Sequence, residues 1–591
     1  MSRPLRVANC SGFYGDLHDA PRLLLEGPDA IDILTGDYLA ELTMLILWKA
    51  KQKDADAGYA TTFLRQMEEV LGTCLDRGIT VVANAGGLNP RALADKLRAV
   101  AEGMGRQISV AVVEGDDLAA EVPNLMAEGV AFTNLDTGQP FSSTGRRALS
   151  ANAYLGAFGI AAAIERGAQV VVTGRVTDAA LVMGPAIAHH GWGRSDFDQL
   201  AGGLVAGHLL ECGTQVTGGN YALLHELPDN RFPGFPIAEL SKDGSCVLTK
   251  QPGTGGLVSV GTVTAQLLYE IGSPLYENPD VVADFSTIHL RSLGPDRVEV
   301  SAVRGFAPSG QLKVALNFEG GFRNQMSVVL TGLDLEAKAE RVRAMLFELL
   351  GGEDRFDDVS VELLAGSTID APNNEAATGR LRIVVKGDDI DLVGRKFSRA
   401  LVALTLASVP GMFADTPPTN ATVYGVYWPA LIDESVVEHR VVLEGGEVLI
   451  IPSAPTTAPR QIAPSETRDE RQPEASVTLA LLGDLCGARS GDKGGNANVG
   501  VWTWDDELYA WMSEALTEDA VADLLALDVD VEVKRYDLPN LRALNFVVIG
   551  LLGEGVASTT RLDPQAKGLG EYLRSRMVEL PVGLLPKLLT Q

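Results

Sequence analysis

Nowhere in the sequence does an unbroken apolar run approach the ~18 residues that a membrane-spanning helix requires; TMLILW and VTLALL have the lengths of core strands or helices. The N-terminal MSRPLRVANC passes directly into an apolar strand, with no h-region of a signal peptide before it. Cysteine is scarce. Cys10, Cys74, Cys212, Cys246 and Cys486 are odd in number and far apart, which argues against a disulfide framework and fits a reducing compartment. No CxxC or clustered Cys/His pair suggests zinc, so no metal is expected. These absences lead to the expectation of a cytoplasmic protein. Basic residues are also in short supply: 49 Lys and Arg stand against 77 Asp and Glu, a net charge of −28. That balance argues against nucleic acid or an anionic membrane as partner. An anionic ligand such as a CoA thioester would need a local basic pocket or the N–H groups of helix starts. No GxGxxG follows the first strand, where SGFYGD carries only two glycines, and no GxxxxGK[ST] exists, so dinucleotide and P-loop readings lack support.

What is present is a long alternation of elements. At 591 residues the chain exceeds one hydrophobic core, and ~100–200 residues per domain suggests about three or four. The first part alternates short apolar strands with helices, the pattern of an α/β fold with a parallel, Rossmann-like sheet. Strands are expected at Leu5–Asn9, Ala30–Leu34, Ile79–Ala83, Ile108–Val113 and Gln169–Thr173. An α+β region follows, with strands at Thr287–Leu290, Val298–Val303, Lys313–Phe318, Asn324–Leu330 and Val359–Leu364 and a long helix in LVGRKFSRALVALTLASV. The expected domains are a cleft-forming α/β domain at 1–280, an α+β domain at 281–452, a Pro-, Ser- and charge-rich linker at 453–476, and a small α+β domain at 477–591.

Each of the five leading strands runs into a small polar loop: CSGFYGD, TGDYLAEL, NAGGLNP, EGDDL and TGRVTDAA. Ligands of open α/β sheets bind outside the carboxyl ends of the strands, so these loops should line one cleft. Asn89 with Pro90 reads as a helix start, and Gly86 and Gly87 allow backbone N–H groups close to a ligand. Asp37 reads as a helix cap with Glu41 one turn further on, both facing the strand ends. Arg175 can clamp a carboxylate or phosphate with Asp178 holding it in place, or the two form a structural ion pair. If AGGLVAGHLLEC is helical, His208 and Glu211 share a face and can converge on one proton, which makes them, with Asp178, the candidate acid/base groups. The same spacing fits a core histidine bonded to a backbone carbonyl. Cys10 and Cys212 read as buried thiols rather than nucleophiles.

Substrate contacts are expected from Asn9, Ser11, Gly12, Asn84, Gly218, Gly219 and Asn220, and anion contact from Lys250 beside Gly253–Gly256. In GARSGDKGGNANVG, Asp492 and Lys493 lie in what reads as a glycine-rich loop between strands, suited to an anion or simply solvated. If one cleft exists, Arg175, Asp178 and His208 should approach Asp37, Asn84 and Gly86.

The strings NAGGLNP, NAYLGAFGIAAAIERGAQVVVTGRVTDAALV, GHLLECGTQVTGGN, GFPIAEL, TKQPGTGGLVSVGTVTAQLLYEIGSPLYENPDV and ARSGDKGGNANVGV resemble the acyclic terpene utilisation AtuA family, in one order and over nearly the whole chain. The region to about Ile451 resembles the family's main domain and Val477 to Leu585 its appended domain. The resemblance implies a role in the breakdown of branched or terpenoid acyl-CoA, among biotin-dependent carboxylases, enoyl-CoA hydratases and acyl-CoA dehydrogenases. It supplies no established catalytic residues. The resulting expectation is a homo-oligomeric lyase or hydratase that acts on a CoA thioester by acid/base chemistry without a cofactor. The competing expectations are a non-catalytic scaffold or binding subunit of an acyl-CoA carboxylase, and a thioester hydrolase.

Overall fold

Short apolar runs alternating with helices demand a sheet covered on both faces, and the computed structural model, which describes residues 3–460, 462, 476–529 and 531–587, is built on one. Its centre is five parallel strands in the spatial order Leu5–Asn9, Ile33–Gly36, Thr80–Ala83, Val170–Thr173 and Val110–Glu114. Val7 lies opposite Ile33 and Val82 opposite Val171, so valine and isoleucine form continuous rows across the sheet. Helices carrying Phe63, Met67, Leu93 and Leu97 cover one face. Each such buried side chain contributes roughly 1.5–3 kcal/mol relative to exposure. Antiparallel strands extend the sheet on both sides: Pro236–Leu240, Cys246–Lys250, Arg297–Ser301 and His289–Gly294 beyond the first strand, Arg440–Val442 and Val448–Ile450 beyond the last.

The second strand begins later than expected. Asp32 turns its carboxylate back to accept the Arg6 backbone N–H at 2.9 Å, which keeps the preceding Pro28-Asp29-Ala30 out of the sheet. Asp37 is not a helix cap either: the helix Glu41–Lys53 starts from Ala40, and Asp37 accepts hydrogen bonds from Asn84 and from the Leu39 amide. Asn89 does cap the helix Pro90–Gly103, accepting from Ala92 N at 3.4 Å. The helix Phe197–Glu211 is buried on nearly every side. A side chain at its Gly207 would come within 2.5 Å of the Ala179 carbonyl, so glycine there is what lets the His208 end of the helix seat against its neighbour.

By packing, the chain divides into two compact units, one of residues 1–317, 428–556 and 565–591, the other of residues 318–427 and 557–564. The second unit has a sheet in the order Asp358–Ala365, Thr378–Gly387, the later part of Gln311–Thr331, and the start of Thr422–Asp433. Leu335–Leu350 packs on it through Val342 and Leu346. The two strands expected at Lys313–Phe318 and Asn324–Leu330 are one strand of 21 residues. At Gly320, between those two segments, a Cβ would lie 2.3 Å from the Tyr424 ring. The expected long helix after Asp391 is a π-helical turn, Leu392–Lys396, followed by the short helix Phe397–Ala403.

Within the first unit, the C-terminal residues form a four-stranded antiparallel sheet in the order Gly487–Lys493, Asn496–Trp502, Ala543–Val548, Val533–Leu538. The helices Asp506–Ala515 and Leu569–Arg574 pack on it around Val499, Met512, Phe546 and Leu573. GARSGDKGGNANVG is therefore not a loop: it is two paired strands, with Lys493 opposite Asn496 across a tight turn. Of the linker expected at 453–476, residues 461 and 463–475 lie outside the described residues. Among the described residues no helix is long and apolar enough to cross a membrane.

Candidate functional site

The carboxyl ends of the parallel strands meet as expected, and the sequence places charged groups there. Thr173 ends a buried strand, and the chain then turns so that Arg175 is only 3% exposed. Its guanidinium forms an ion pair with Asp178, donates to the Val176 carbonyl at 3.0 Å and lies 4.1 Å from the centre of the Tyr154 ring. Its backbone N–H donates to Asp116 Oδ2 at 2.8 Å, and Asn152 donates to the same carboxyl at 2.8 Å. Burial pushes Asp116 up to about 7 despite these two donors. Asp37, at the end of the strand Ile33–Gly36, is held by Asn84 at 2.6 Å; burial and then the Asp178 charge raise its carboxyl well above the usual range, while Arg175 opposes them.

Glu41 behaves in the opposite way. Burial raises it, but Lys313, 3.6 Å away, and Arg175 bring it down to about 2, so it is ionised. Tyr154 donates to it at 3.3 Å, and the Lys313 ammonium lies 4.9 Å from the centre of the same ring.

A further part of the cluster comes from the C-terminal sheet. A Cβ on Gly491 would lie 2.4 Å from the Tyr269 ring, so only glycine lets that strand approach the segment after the helix Val260–Leu267. Asn498 fastens the contact, donating to the Leu268 carbonyl at 2.6 Å and accepting from the Glu270 N–H at 2.9 Å. The contact delivers Lys493, which donates to the Glu270 carbonyl at 2.7 Å with its ammonium 5.6 Å from the centre of the Tyr276 ring. Burial and then the Lys313 charge lower Lys493, against Glu270, Glu211 and Glu41. Asp492 beside it is pushed up to about 8 by burial, Glu270 and Glu41. Glu270 itself is raised by burial, and it has φ 57, a left-handed conformation that few non-glycine residues adopt.

His208 and Glu211 do lie on one face of their helix, with Nδ1 to Oε1 at 3.0 Å, but the histidine is enclosed by its neighbours. It is fully buried, and its Nε2 is 3.0 Å from the Gln266 carbonyl, so both ring nitrogens are engaged. Burial and then Lys493 lower it to about 4; burial, Asp178 and Glu270 raise Glu211 well above the carboxylate range. Glu211 Oε2 is buried without a hydrogen-bond partner.

Arg175 and Asp178 act on the Asp37 carboxyl that Asn84 holds, with Glu211 among the charges there, whereas His208 faces Glu211 and the Gln266 carbonyl rather than Asp37 or Asn84. Gly86 lies on the same rim, where a Cβ would be 2.4 Å from the Thr173 carbonyl; Gly87, at φ 51, instead faces Leu47. Asn9 ties the first strand to the helix end, donating to the Leu210 carbonyl at 2.6 Å and the Ser11 carbonyl at 2.9 Å. Ser11 donates to the Phe13 carbonyl, and Gly12 abuts Cys212, with a would-be Cβ 2.6 Å from its carbonyl carbon. Gly218, Gly219 and Asn220 close a 3-10 turn through Gly219 N to Thr214 O at 2.8 Å. The structure does not bring Lys250 into the cluster: it pairs with Asp296 at 3.0 Å and donates to the Thr254 carbonyl. Burial pushes the Cys10 thiol up to about 12, and burial with Glu211 raises Cys212 well above the usual thiol range, so neither offers a thiolate. Among the described residues, the only His, Cys, Asp or Glu side chains that bring three ligand atoms within 4.8 Å of one another are His18, Asp19 and Glu69, near the surface and outside this cluster.

Sequence reasoning missed Asp116, Tyr154, Glu270, Tyr276 and Lys313. Glu270 and Tyr276 lie inside YEIGSPLYENPD, a string distinctive enough to carry the resemblance, and that was the available signal.

Comparison with known families agrees with this architecture. Residues 5–443 match the model of the acyclic terpene utilisation family protein AtuA, and residues 480–579 that of the AtuA ferredoxin-like domain. The chain belongs to that family. No curated protein and no solved structure matches it.

Proposed function

We propose that this member of the acyclic terpene utilisation family is a lyase or hydratase that moves protons on a branched or terpenoid acyl-CoA. The observation that carries the reading is the mixture of charge states in one buried cluster. Glu211 and Asp37 are carboxyls that burial raises well above the usual range, and Asp492 is one pushed up to about 8, packed among the cations Arg175, Lys313 and Lys493. Elimination or addition of water next to a thioester needs both parts: a group that exchanges a proton near neutral pH, and fixed positive charge where the carbonyl oxygen becomes negative. The family supports the terpenoid substrate class. The raised thiols weigh against a cysteine acyl-enzyme, and hence against that route to thioester hydrolysis.

The test is incubation of the purified full chain with branched enoyl-CoA and 3-hydroxyacyl-CoA esters, with products followed by mass spectrometry. A change of one water in mass that disappears in Glu211→Gln supports the reading. Free CoA as the main product supports hydrolysis instead. No turnover together with co-purification of a carboxylase subunit sinks the enzyme reading in favour of a scaffold.

A further inference from the structure

The hydrogen bonds around His208 fix where its protons are. A backbone carbonyl only accepts, so Nε2, 3.0 Å from the Gln266 oxygen, carries a hydrogen. Two arrangements then satisfy the 3.0 Å bond from Nδ1 to Glu211 Oε1: an imidazolium facing a carboxylate, or a neutral imidazole accepting from a carboxylic acid. The surroundings choose the second. Tyr276 and Phe285 wall the imidazole at 5.4 and 5.6 Å between ring centres, and the charges acting on it include the Lys493 ammonium, which opposes a second cation. On the other side, Glu211 Oε2 has no partner, and Asp178 and Glu270 are among the charges acting on the carboxyl, so an ionised Glu211 would be a buried anion beside two others. Burial lowers the histidine and raises the glutamate, in agreement with the neutral pair.

We propose that Glu211 and His208 form a carboxyl–imidazole relay in which Glu211 Oε2 takes a proton from the substrate as Oε1 passes its own proton to His208 Nδ1. The substrate's bond to that hydrogen breaks and its electron pair stays on the substrate, one O–H bond forms at Oε2, one breaks at Oε1 and one N–H forms at Nδ1. The carboxyl stays neutral, and the positive charge arrives on an imidazole whose Nε2–H already points at the Gln266 carbonyl; burial and Lys493 oppose that charge, so the imidazolium is short-lived and readily gives the proton back. Reversal returns the proton, so the pair serves addition and elimination alike. Glu211 is the catalytic residue, and His208, which does not reach the cleft, is a positioning residue that holds the proton. The groups that set the pair's proton affinity are Asp37, Arg175, Asp178, Glu270, Tyr276 and Lys493. The relay rests on the acid/base reading for its substrate proton, but its resting state can be read without any substrate.

Infrared difference spectroscopy of the full chain at neutral pH should show a protonated-carboxyl stretch that is lost in Glu211→Gln. Protein labelled with 15N-histidine should show, in the signals lost in His208→Gln, one protonated nitrogen and one bare one. Two protonated nitrogens with no Glu211-dependent carboxylic acid band overturn the relay, whatever reaction the protein performs. His208→Gln keeps a donor for Gln266 and an acceptor for Glu211 but stores no proton. It should keep the acid band while lowering kcat on the acyl-CoA substrate about 100-fold with little change in KM. Retention of wild-type kcat in that variant overturns the relay and leaves the lyase or hydratase reading intact. Absence of turnover in the wild-type protein removes that reading, while the spectra still decide the resting state.

Discussion

Asp116 is buried, yet it sets the turn that carries Arg175 by accepting that residue's backbone N–H. Its carboxyl is raised from 3.8 to about 7, so the folded protein binds this proton more tightly than the unfolded chain does. The stability it contributes is therefore complete below pH 3.8 and is lost as pH rises toward about 7. The slope for one such group is at most about 1.4 kcal/mol per pH unit. Denaturant unfolding between those limits should show this decline, and Asp116→Asn should flatten it. At Gly491 the constraint is steric. Gly491→Ala places a methyl 2.4 Å from the Tyr269 ring, which belongs to another part of the packed unit. A loss of about 1–3 kcal/mol is expected, measured as a lower unfolding midpoint. Lys493→Met removes the ammonium without removing the stem. If Lys493 stabilises an anionic intermediate, turnover should fall by about 10²-fold while circular dichroism stays that of the wild type.

At the scale of elements, the parallel strands were legible because each is a short valine-rich run covered on both faces, as Val170–Thr173 illustrates. The loops after them could be assigned to one rim for the same reason. What stayed ambiguous depended on partners far away in sequence. The i, i+3 spacing of His208 and Glu211 fits a catalytic pair and a core histidine equally well, and the carbonyl that decides between roles belongs to Gln266, 58 residues on. Lys313 occupies an ordinary position in an alternating strand, and nothing local says that it faces Glu41. GARSGDKGGNANVG looked like a loop because its glycines and charges carry the composition of one. Its glycines instead serve close packing: at Gly500 a Cβ would meet Leu268 at 2.4 Å. The Asn498 bridge is the element-scale test. Asn498→Ala leaves a buried Glu270 N–H and Leu268 carbonyl without that partner, a cost of about 1–3 kcal/mol. Hydrogen exchange should rise in the 268–272 segment and in the strand Asn496–Trp502 together, and an effect confined to one of them would contradict the bridge.

For the whole molecule the dominant quantity is the charge of −28. Like charges repel more strongly in the compact state than in the expanded one, so stability should increase as salt screens them. The melting temperature should rise between low ionic strength and ~0.15 M, where the screening length is about 8 Å. The cations of the cleft are the local exception, because Arg175 and Lys493 are surrounded by acids at short range.

The cleft's dependence on Lys493 also has a temporal side. The parallel sheet, Arg175 and the His208 helix are all in place in the first part of the chain to leave the ribosome, whereas the sheet that carries Lys493 is completed only at Val548. A chain cut short before that point lacks part of the sheet that carries Lys493, which sets Lys493 against the Glu270 carbonyl. On the proposed chemistry, the site is complete only once nearly the whole chain has been made.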